Sequence, residues 1–307
     1  MTQNIRGRGR NEIDTNNNIF RAYDIHKGKL DFLVFTETAL TTDSWKGRKK
    51  VMTRFDAHST TFDERNNGDY FIGIHSAQTP DTPGRAGVSL WYKDKWRDRI
   101  IKSQTLANGR LVTATFNTPG HNRLTIIGVY AQANIKTIEE KKSAKQLEKD
   151  LTILIDNYQR KNHTLVVLGD FNSSIKEKCS HPWLQTLIAR TNLTDTMSVV
   201  HAQSRPYTFC TQGGKKKNID YILVSKHQTH KLTSAGIIHD DTGELDHSAP
   251  CAGLNIEVPP RYTARKISYH TDKWSQKDKK KFAKRLQRNL QRLQRNLLTK
   301  TPHRLHR

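Results

Sequence analysis

Five short stretches constrain the fold of this chain most, and they occur in one order: FTET (35–38), GVYA (128–131), LGDFN (168–172), NIDYILVS (218–225) and LDHSAP (245–250). They are runs of apolar or β-branched residues that end at polar groups such as an acid, an amide or an imidazole. A β-strand with this pattern delivers its polar end to the rim of a sheet. The sequence therefore predicts a strand-rich fold in which polar side chains from distant segments converge.

Composition narrows the classes of protein to consider. The 307 residues are 34% hydrophobic, with 17 glycines and 9 prolines, which is ordinary for a folded core. Three scattered cysteines, Cys179, Cys210 and Cys251, argue against a disulfide framework and a zinc site. The first residues contain no apolar signal segment, and no stretch approaches the roughly 18 to 20 apolar residues of a membrane span. We expect a soluble intracellular protein without a membrane partner, nuclear if the source is eukaryotic.

The charge of the chain is strongly positive and unevenly distributed. Lysine and arginine number 52 against 29 aspartates and glutamates, a net charge of +23. Residues 261–307 hold 16 of these basic residues and only two acidic ones. Such charge suits a polyphosphate partner, because each neutralised phosphate releases condensed counterions. A solubilising, ribosome-like basic surface is the alternative, and the carboxylates at the predicted strand ends favour a nucleic-acid substrate over it.

Residues 1–257 read as one domain of alternating strands, turns and a few helices. A helix is predicted from Thr137 to about Tyr158, opened by a capping box with Glu140, and a second near Pro182 to Arg190. The turn NTPGHN predicts a hairpin between the strands RLVTATF (110–116) and RLTIIGVYA (123–131). The segments with strand composition are LDFLVF (30–35), AGVSLWY (86–92), RLVTATF (110–116), RLTIIGVYA (123–131), TLVVLGD (164–170), IDYILVS (219–225) and HSAPCAGLNI (247–256).

Residues 258–307 differ in kind and are predicted to form a basic helical tail or linker. RLQRNLQ (285–291) is followed at once by RLQRNLL (292–298), which places leucines on one helical stripe and arginines opposite. A short docked helix, or a cut-off piece of a following one, is favoured over a coiled coil because two heptads are too few. KKKFAKR (279–285) also matches a nuclear localisation signal.

The five stretches, in this order, resemble the endonuclease/exonuclease/phosphatase superfamily over roughly residues 2–257. FTET is closer to the LTET of non-LTR retrotransposon endonucleases than to the LQE of many repair enzymes. The resemblance implies an α/β (α+β) fold: a four-layer sandwich of two packed mixed β-sheets flanked by helices. The proline pair at 259–260 and the basic tail after it also resemble the start of the linker that precedes a reverse transcriptase in those elements. The chain is therefore identified as a stand-alone or truncated retroelement-type endonuclease.

The resemblance implies a divalent metal site. Glu37, at the end of LDFLVFT, would be the main ligand, Asp246 a further carboxylate, and Asn4 in NIRGRG would reach the metal shell. Only three residues precede Asn4, too few for a full strand. Oxygen ligands suit Mg²⁺, with Mn²⁺ as the other candidate.

The same resemblance implies the catalytic residues. Asp170 of LGDFN would orient or deprotonate the attacking water, while Asn172, Tyr130 and His247 would contact the phosphate. Asp220 of NIDYILVS would orient the His247 imidazole. Asp246 and His247 are adjacent, so on a regular strand they would face opposite ways.

The resemblance thus predicts a Mg²⁺-dependent phosphodiesterase, most simply an endonuclease that nicks DNA and leaves 3′-hydroxyl and 5′-phosphate ends. Two alternatives stay open. One is an inactive relic that binds nucleic acid without cleaving it, and the other is a phosphatase of the same fold acting on a non-DNA phosphoester. The lysines at 46–50 and 215–217 are candidates for lining the substrate path, although such runs are usually solvated loops.

Overall fold

The apolar runs form the strands of two mixed β-sheets. The computed structural model describes residues 1–4, 30–38, 52–55, 71–77, 85–133, 135–175, 183–201, 206–239 and 246–258, with isolated residues between 275 and 287. The first sheet contains β1 (Thr2–Asn4), β2 (Phe32–Thr36), β3 (Met52–Phe55), β4 (Phe71–Ser76) and β5 (Val88–Lys93). The second contains β6 (Ile100–Leu106), β7 (Leu111–Asn117), β8 (Arg123–Tyr130), β9 (Thr164–Asp170), β10 (Leu193–Asp195) and β13 (Asp220–Ser225).

Smaller elements connect and cover these sheets. Two further strand pairs are β11 (Phe209–Cys210) with β12 (Lys216–Lys217), and β14 (Leu232–Ile238) with β15 (Ala249–Leu254). The α-helices of the described residues between 135 and 201 are α1 (Ile138–Arg160), α2 (Trp183–Thr191) and α3 (Thr196–Val200). Short 3-10 helices span Asp94–Arg99, Pro119–His121 and Lys226–Lys231.

Each sheet combines antiparallel strands with one parallel pair. The strand orders are β1-β2-β5-β4-β3 and β10-β13-β9-β8-β7-β6. The parallel pairs are β1 with β2 and β8 with β9, and the second pair is joined through α1. The predicted sandwich of two mixed sheets is therefore confirmed.

The main core lies between the two sheets. Val34 and Leu90 of the first sheet and Ile126 and Val166 of the second belong to one buried cluster. Gly128 of β8 lies in this interface, where an added Cβ would come within 3.1 Å of the Val34 side chain and 3.3 Å of the Val88 side chain, both of the first sheet. The sheets therefore approach closely here because the side chain is missing, as expected in an interior packed to crystal-like density.

Helix α1 covers the outer face of the second sheet, as its apolar stripe predicts. It begins after Thr137, whose side chain accepts a hydrogen bond from the Glu140 amide, completing the predicted capping box. Its buried Leu147 and Leu151 pack in a second cluster with Ile127 and other outward-facing residues of that sheet. Helix α2 begins at Trp183, and Pro182 lies outside the described residues.

The β14–β15 pair covers part of the outer face of the first sheet. Leu33, Phe35 and Trp91 form a third buried cluster with Ala249, against which Ile238 packs. This pair brings the segment Asp246–Ser248 to the rim where β9 ends and β13 begins, so that His247 lies 2.9 Å from Asp220. It therefore positions part of the candidate site.

The predicted strands lie close to their predicted bounds, and the β7–β8 hairpin is confirmed, with Gly120 in the turn at φ 68°. Strand β6 was not predicted, because many of its side chains are exposed and apolar alternation is weak. Residues 2–4 do form a short strand, β1, because it is stabilised by pairing with Val34–Thr36 of β2.

The chain divides into two compact units, Met1–Pro259 and Pro260–Arg307. The tandem repeat at 285–298 lies mostly outside the described residues, as do the basic stretches at 46–50 and 279–285 except for isolated positions in the tail. The division of the chain into a catalytic domain and a basic helical tail thus stays a prediction. Among the described helices, none combines the length and apolarity needed to cross a membrane.

Candidate active site

Three neighbouring strands of the second sheet place polar side chains next to one another. In the sheet register Tyr130 at the end of β8 lies opposite Asp170 of β9, and Asp170 lies opposite Asp220 of β13. Alternate residues of a strand share a face, and Val166 and Leu168 of β9 belong to the core between the sheets. Asp170 therefore lies on the face directed at the first sheet, beyond the end of the apolar core.

Asp170 is buried, at 1% exposure, and held by hydrogen bonds to both carboxylate oxygens. The Asn4 side-chain amide donates to Oδ2 at 2.8 Å, and the Asn172 backbone amide donates to Oδ1 at 2.9 Å. Burial and the charge of Asp220 raise the pKa of Asp170, whereas His247, Asn4 and the Asn172 amide oppose the rise. The carboxylate is thus fixed in orientation and basic enough to accept a proton from water near neutral pH.

Asn172 is fixed by the backbone on the other side of the site. Its φ of 47° lies in the left-handed region that asparagine tolerates. Its side-chain amide donates to the Ala131 carbonyl oxygen at 2.8 Å, just after Tyr130. The GDFN sequence therefore forms a turn that places two polar side chains at one rim.

His247 and Asp220 form a buried pair. His247 Nδ1 lies 2.9 Å from Asp220 Oδ2, and the Asp220 side chain is fully buried. Burial alone would lower the pKa of His247, but the adjacent Asp220 carboxylate outweighs it, with help from Asp170 and Glu37, and raises the pKa to about 9. The imidazole is consequently cationic at neutral pH and can donate a hydrogen bond to an anionic oxygen.

Asp246 and His247 both line the cavity although they are adjacent in sequence. Neither belongs to a regular strand: Asp246 lies in a bend, and His247 forms an isolated bridge with Phe209 before β15 begins. The Cys210 amide donates to the Asp246 carbonyl oxygen at 2.9 Å. The irregular backbone removes the alternation of a strand, which allows both side chains to reach one space.

Glu37 reaches the site from the first sheet with an unusual backbone. It follows β2, has a φ of 54°, and pairs with Arg85 at 3.0 Å. The Tyr130 hydroxyl also hydrogen-bonds Glu37, and burial together with the charges of Glu37 and Asp170 raises the pKa of Tyr130. Tyr130 therefore stays protonated as a hydrogen-bond donor.

These groups surround one cavity of about 730 Å³. All of the predicted site residues line it except Asp220, which lies behind His247. The lining residues are Asn4, Glu37, Arg85, Tyr130, Ala133, Asp170, Asn172, Phe209, Thr211, Lys217, Ile219, Asp246 and His247. The structure thus brings the predicted residues together, while the role assigned to each stays a prediction.

The oxygen-rich donor set of this cavity fits a hard divalent cation. Asp170, Asp220 and His247 carry possible ligand atoms within 4.8 Å of one another. A protonated imidazole has no lone pair for a metal, however, and the Nδ1–H of His247 already donates to Asp220. Glu37, Asp246 and the amide oxygen of Asn4 therefore fit the cation better than His247 does.

Three further residues organise the site but were not predicted. Thr208 is fully buried, and its hydroxyl accepts hydrogen bonds from the Ile219 and Asp220 amides while its carbonyl accepts one from Ser248. Arg110 is buried against Tyr130, with its guanidinium carbon 5.5 Å from the ring centroid. Arg85 is the third. A threonine or arginine between strands shows no local sequence pattern that marks it as a site residue. These three residues are therefore recognised only once the register of the sheets places them beside the site.

Comparison with known proteins places this architecture. A profile of the Endonuclease/Exonuclease/phosphatase family matches residues 1–270, and no curated protein sequence matches the chain. The fold is similar to an AP endonuclease from Leishmania major (TM-score 0.62, 15% identity, covering 82% of this chain and 86% of that one). It is similar to the Xenopus laevis APE2 catalytic domain (TM-score 0.59, 15% identity, 83% and 91%). A third similar structure is the 3′ phosphatase NExo from Neisseria bound to product DNA hairpin (TM-score 0.54, 19% identity, 78% and 95%). This chain belongs to the endonuclease/exonuclease/phosphatase family.

Proposed function

We propose that the chain is a Mg²⁺-dependent endonuclease of retroelement type that nicks DNA and leaves 3′-hydroxyl and 5′-phosphate ends. One observation carries the proposal: a fixed, basic carboxylate (Asp170) and a cationic imidazole (His247) line the same cavity as Glu37 and Asp246. In-line attack of water on a phosphodiester requires a base on one side and donors around the phosphorus.

In this mechanism each of the cavity residues has a separate role. Asp170, oriented by Asn4 and the Asn172 amide, positions the water and takes its proton. His247, held by Asp220, donates to a non-bridging phosphate oxygen, and the Asn172 side-chain amide adds a neutral donor. The protonated Tyr130 hydroxyl, which donates to Glu37 in the cation-free protein, would add another after a cation binds that carboxylate.

Glu37, Asp246 and Asn4 would hold the cation. A bound Mg²⁺ would polarise a phosphoryl oxygen and offset the charge that develops on it. Mn²⁺ takes the same oxygen donors and is an expected substitute.

DNA as the substrate is supported by two features of different kinds. The chain carries a net charge of +23, which favours a polyanion. The fold is similar to AP endonucleases and to a 3′ phosphatase bound to a DNA hairpin. The resemblance of FTET to retrotransposon endonucleases supports the retroelement type, and an intracellular location is proposed with it.

Nicking of supercoiled plasmid tests the proposal. The wild-type chain should convert it to open circles with Mg²⁺ and not with chelator. Asp170→Asn should slow the reaction by about 10²- to 10⁴-fold, the usual contribution of a general base. Asp156→Asn, on α1 where the carboxylate lies 3.9 Å from Arg190, is the matched control and should nick at the wild-type rate.

The results separate the alternatives. Equal nicking by wild type and Asp170→Asn would refute the assignment. Salt-sensitive binding of DNA without chelator-sensitive turnover would indicate an inactive relic. Release of phosphate from non-DNA phosphoesters without plasmid nicking would indicate a phosphatase.

A further inference from the structure

Arg85 forms an ion pair with the acid at the centre of the proposed cation site. Its Nη1 lies 3.0 Å from Glu37 Oε1, and both residues line the cavity. The exposures of the two side chains are very different, 72% for Arg85 and 12% for Glu37. The arginine therefore reaches in from solvent to a carboxylate that is nearly enclosed.

The backbone fixes Arg85 near this carboxylate. Strands β2 and β5 are antiparallel, with Thr36 opposite Val88, so the residue after one strand and the residues before the other meet at the same end. The Thr38 amide donates to the Gly87 carbonyl at 3.1 Å, and the Gly87 amide donates to the Gly109 carbonyl at 2.9 Å. Sheet pairing thus sets the position from which Arg85 approaches Glu37.

A purely structural role does not account for this pair. Exposed ion pairs contribute little to stability because solvent screens them and the long side chain loses freedom. The Tyr130 hydroxyl also interacts with Glu37, so the carboxylate keeps a hydrogen-bond donor when Arg85 leaves. Glu37 also has an unfavourable backbone conformation, which persists where the surroundings require it and is common at functional sites.

The arginine and a divalent cation compete for the same group. A cation bound to Glu37 would lie close to the guanidinium, and two positive charges at that distance repel. Arg85 is exposed enough to move, and a guanidinium matches the geometry of a phosphate, to which it can donate two hydrogen bonds. The phosphate of the substrate lies in the same cavity in the proposed mechanism.

We propose that Arg85 exchanges partners during substrate binding. It pairs with Glu37 in the cation-free protein, and it leaves Glu37 for a phosphate of the DNA strand when a divalent cation binds that carboxylate. The inference rests on the proposed function for the identity of the phosphate. It makes cation binding and DNA binding cooperative, and by linkage each must strengthen the other by the same factor.

The first experiment measures Mn²⁺ binding to the full-length chain without DNA, by electron paramagnetic resonance titration. Arg85→Ala should bind Mn²⁺ about 2- to 5-fold more tightly, as expected for removal of a partly exposed ion pair. Lys217→Ala is the matched control, because it removes a positive charge from the same cavity. Lys217→Ala should tighten Mn²⁺ binding less than Arg85→Ala does. If Arg85→Ala leaves the Mn²⁺ affinity unchanged, or changes it only as much as Lys217→Ala does, the inference is overturned.

The second experiment measures binding of a DNA duplex by fluorescence anisotropy, in chelator and in Ca²⁺, which also takes oxygen ligands. Arg85→Ala should weaken DNA binding in Ca²⁺ more than in chelator, because only the cation-bound protein frees the guanidinium for a phosphate. Lys217→Ala should weaken binding by a similar factor in both conditions. Equal losses for Arg85→Ala in both conditions would overturn the exchange.

These readouts are independent of catalysis. If the wild type nicks plasmid but Arg85→Ala leaves Mn²⁺ affinity unchanged, the exchange is wrong and the proposed function stands. If Arg85→Ala shows both predicted effects but plasmid is never nicked, the exchange stands and the endonuclease assignment is wrong. A wild-type chain that binds no Mn²⁺ would contradict both.

Discussion

Gly169 is the residue on which the position of Asp170 depends most directly. It precedes Asp170 in β9, pairs with Val129 of the parallel strand β8, and has a φ of 150°. A Cβ at this position would lie 1.8 Å from the Val129 carbonyl oxygen. The glycine of LGDFN is therefore a requirement of the backbone, since it lets two strands approach at the point where the carboxylate enters the site.

Gly169→Ala should lower the free energy of unfolding by roughly 3 kcal/mol or more, because the methyl group would collide with backbone. Urea unfolding followed by circular dichroism measures this. Gly213→Ala is the control: the nearest neighbour of the new Cβ would be the Thr211 hydroxyl oxygen at 3.9 Å, so the effect should stay within about 0.5 kcal/mol. Indistinguishable unfolding midpoints for the two variants would contradict this account.

His75 links stability to pH. Its Nδ1 lies 2.7 Å from Ser89 Oγ, its ring packs edge-on against Trp91, and burial lowers its pKa to about 4. In the unfolded chain this ring binds a proton below about pH 6.5, whereas in the folded chain it stays neutral down to about pH 4. Stability contributed by the neutral ring is therefore present above that window and is lost as pH falls through it.

The free energy of unfolding should fall by at most about 2 kcal/mol between pH 7 and pH 5 from this residue. His75→Gln should flatten that part of the pH profile, as measured by urea unfolding at each pH. His230→Gln replaces an exposed ring and should leave the profile unchanged. A profile that keeps its full slope in His75→Gln would show that other groups produce it.

At the scale of elements, helix α1 connects the parallel strands β8 and β9 that carry Tyr130 and Asp170. Its start is fixed by reciprocal bonds: the Glu140 amide donates to Thr137 Oγ1 at 3.1 Å, and the Thr137 amide donates to Glu140 Oε2 at 2.9 Å. These bonds satisfy backbone donors that have no partner within a helix. The capping box therefore fixes Thr137 as the residue after which the helix begins.

Thr137→Ala should lower the free energy of unfolding by about 1 kcal/mol, the usual cost of losing an N-cap side chain. Chemical unfolding followed by tryptophan fluorescence measures the change. Lys149→Ala, at an exposed position of the same helix, should change it by less than about 0.5 kcal/mol. If both substitutions cost the same, the capping box does not stabilise the protein.

At the scale of the whole molecule, most of the net positive charge lies in a different part of the sequence from the candidate site. The site residues all belong to the compact unit Met1–Pro259, whereas residues 261–307 carry 16 basic and two acidic side chains. Charge of this density contributes to nucleic-acid affinity without reading sequence. We therefore expect the tail to add affinity for DNA and not to take part in the reaction.

Deletion of residues 260–307 should weaken DNA binding and reduce the slope of log K against log salt by several units, because fewer counterions are released. Anisotropy of a labelled duplex between about 50 and 200 mM salt measures both. The nicking rate at saturating DNA serves as the control and should stay near that of the full chain. An unchanged salt slope would mean that the tail does not contact DNA.

The sequence by itself indicated which segments form strands and which side chains end them. The continuous apolar run of TLVVLGD, typical of a strand buried on both faces, and the capping box at Thr137 are local patterns, so β9 and α1 could be predicted from neighbours in the chain. The resemblance of the motifs supplied the family, which the comparisons confirmed, and candidate roles for residues such as Asp170 and His247.

The tertiary structure alone decided how those residues are held. Asn4 bonds Asp170 across 166 positions of sequence, and Arg85 pairs with Glu37 across 48. Such pairs depend on strand order and register between segments that are distant in sequence, and a hydrophobic pattern specifies which face of a strand is buried but not its neighbour. Thr208 could not be recognised for the same reason: its hydroxyl becomes important only where three separate segments meet.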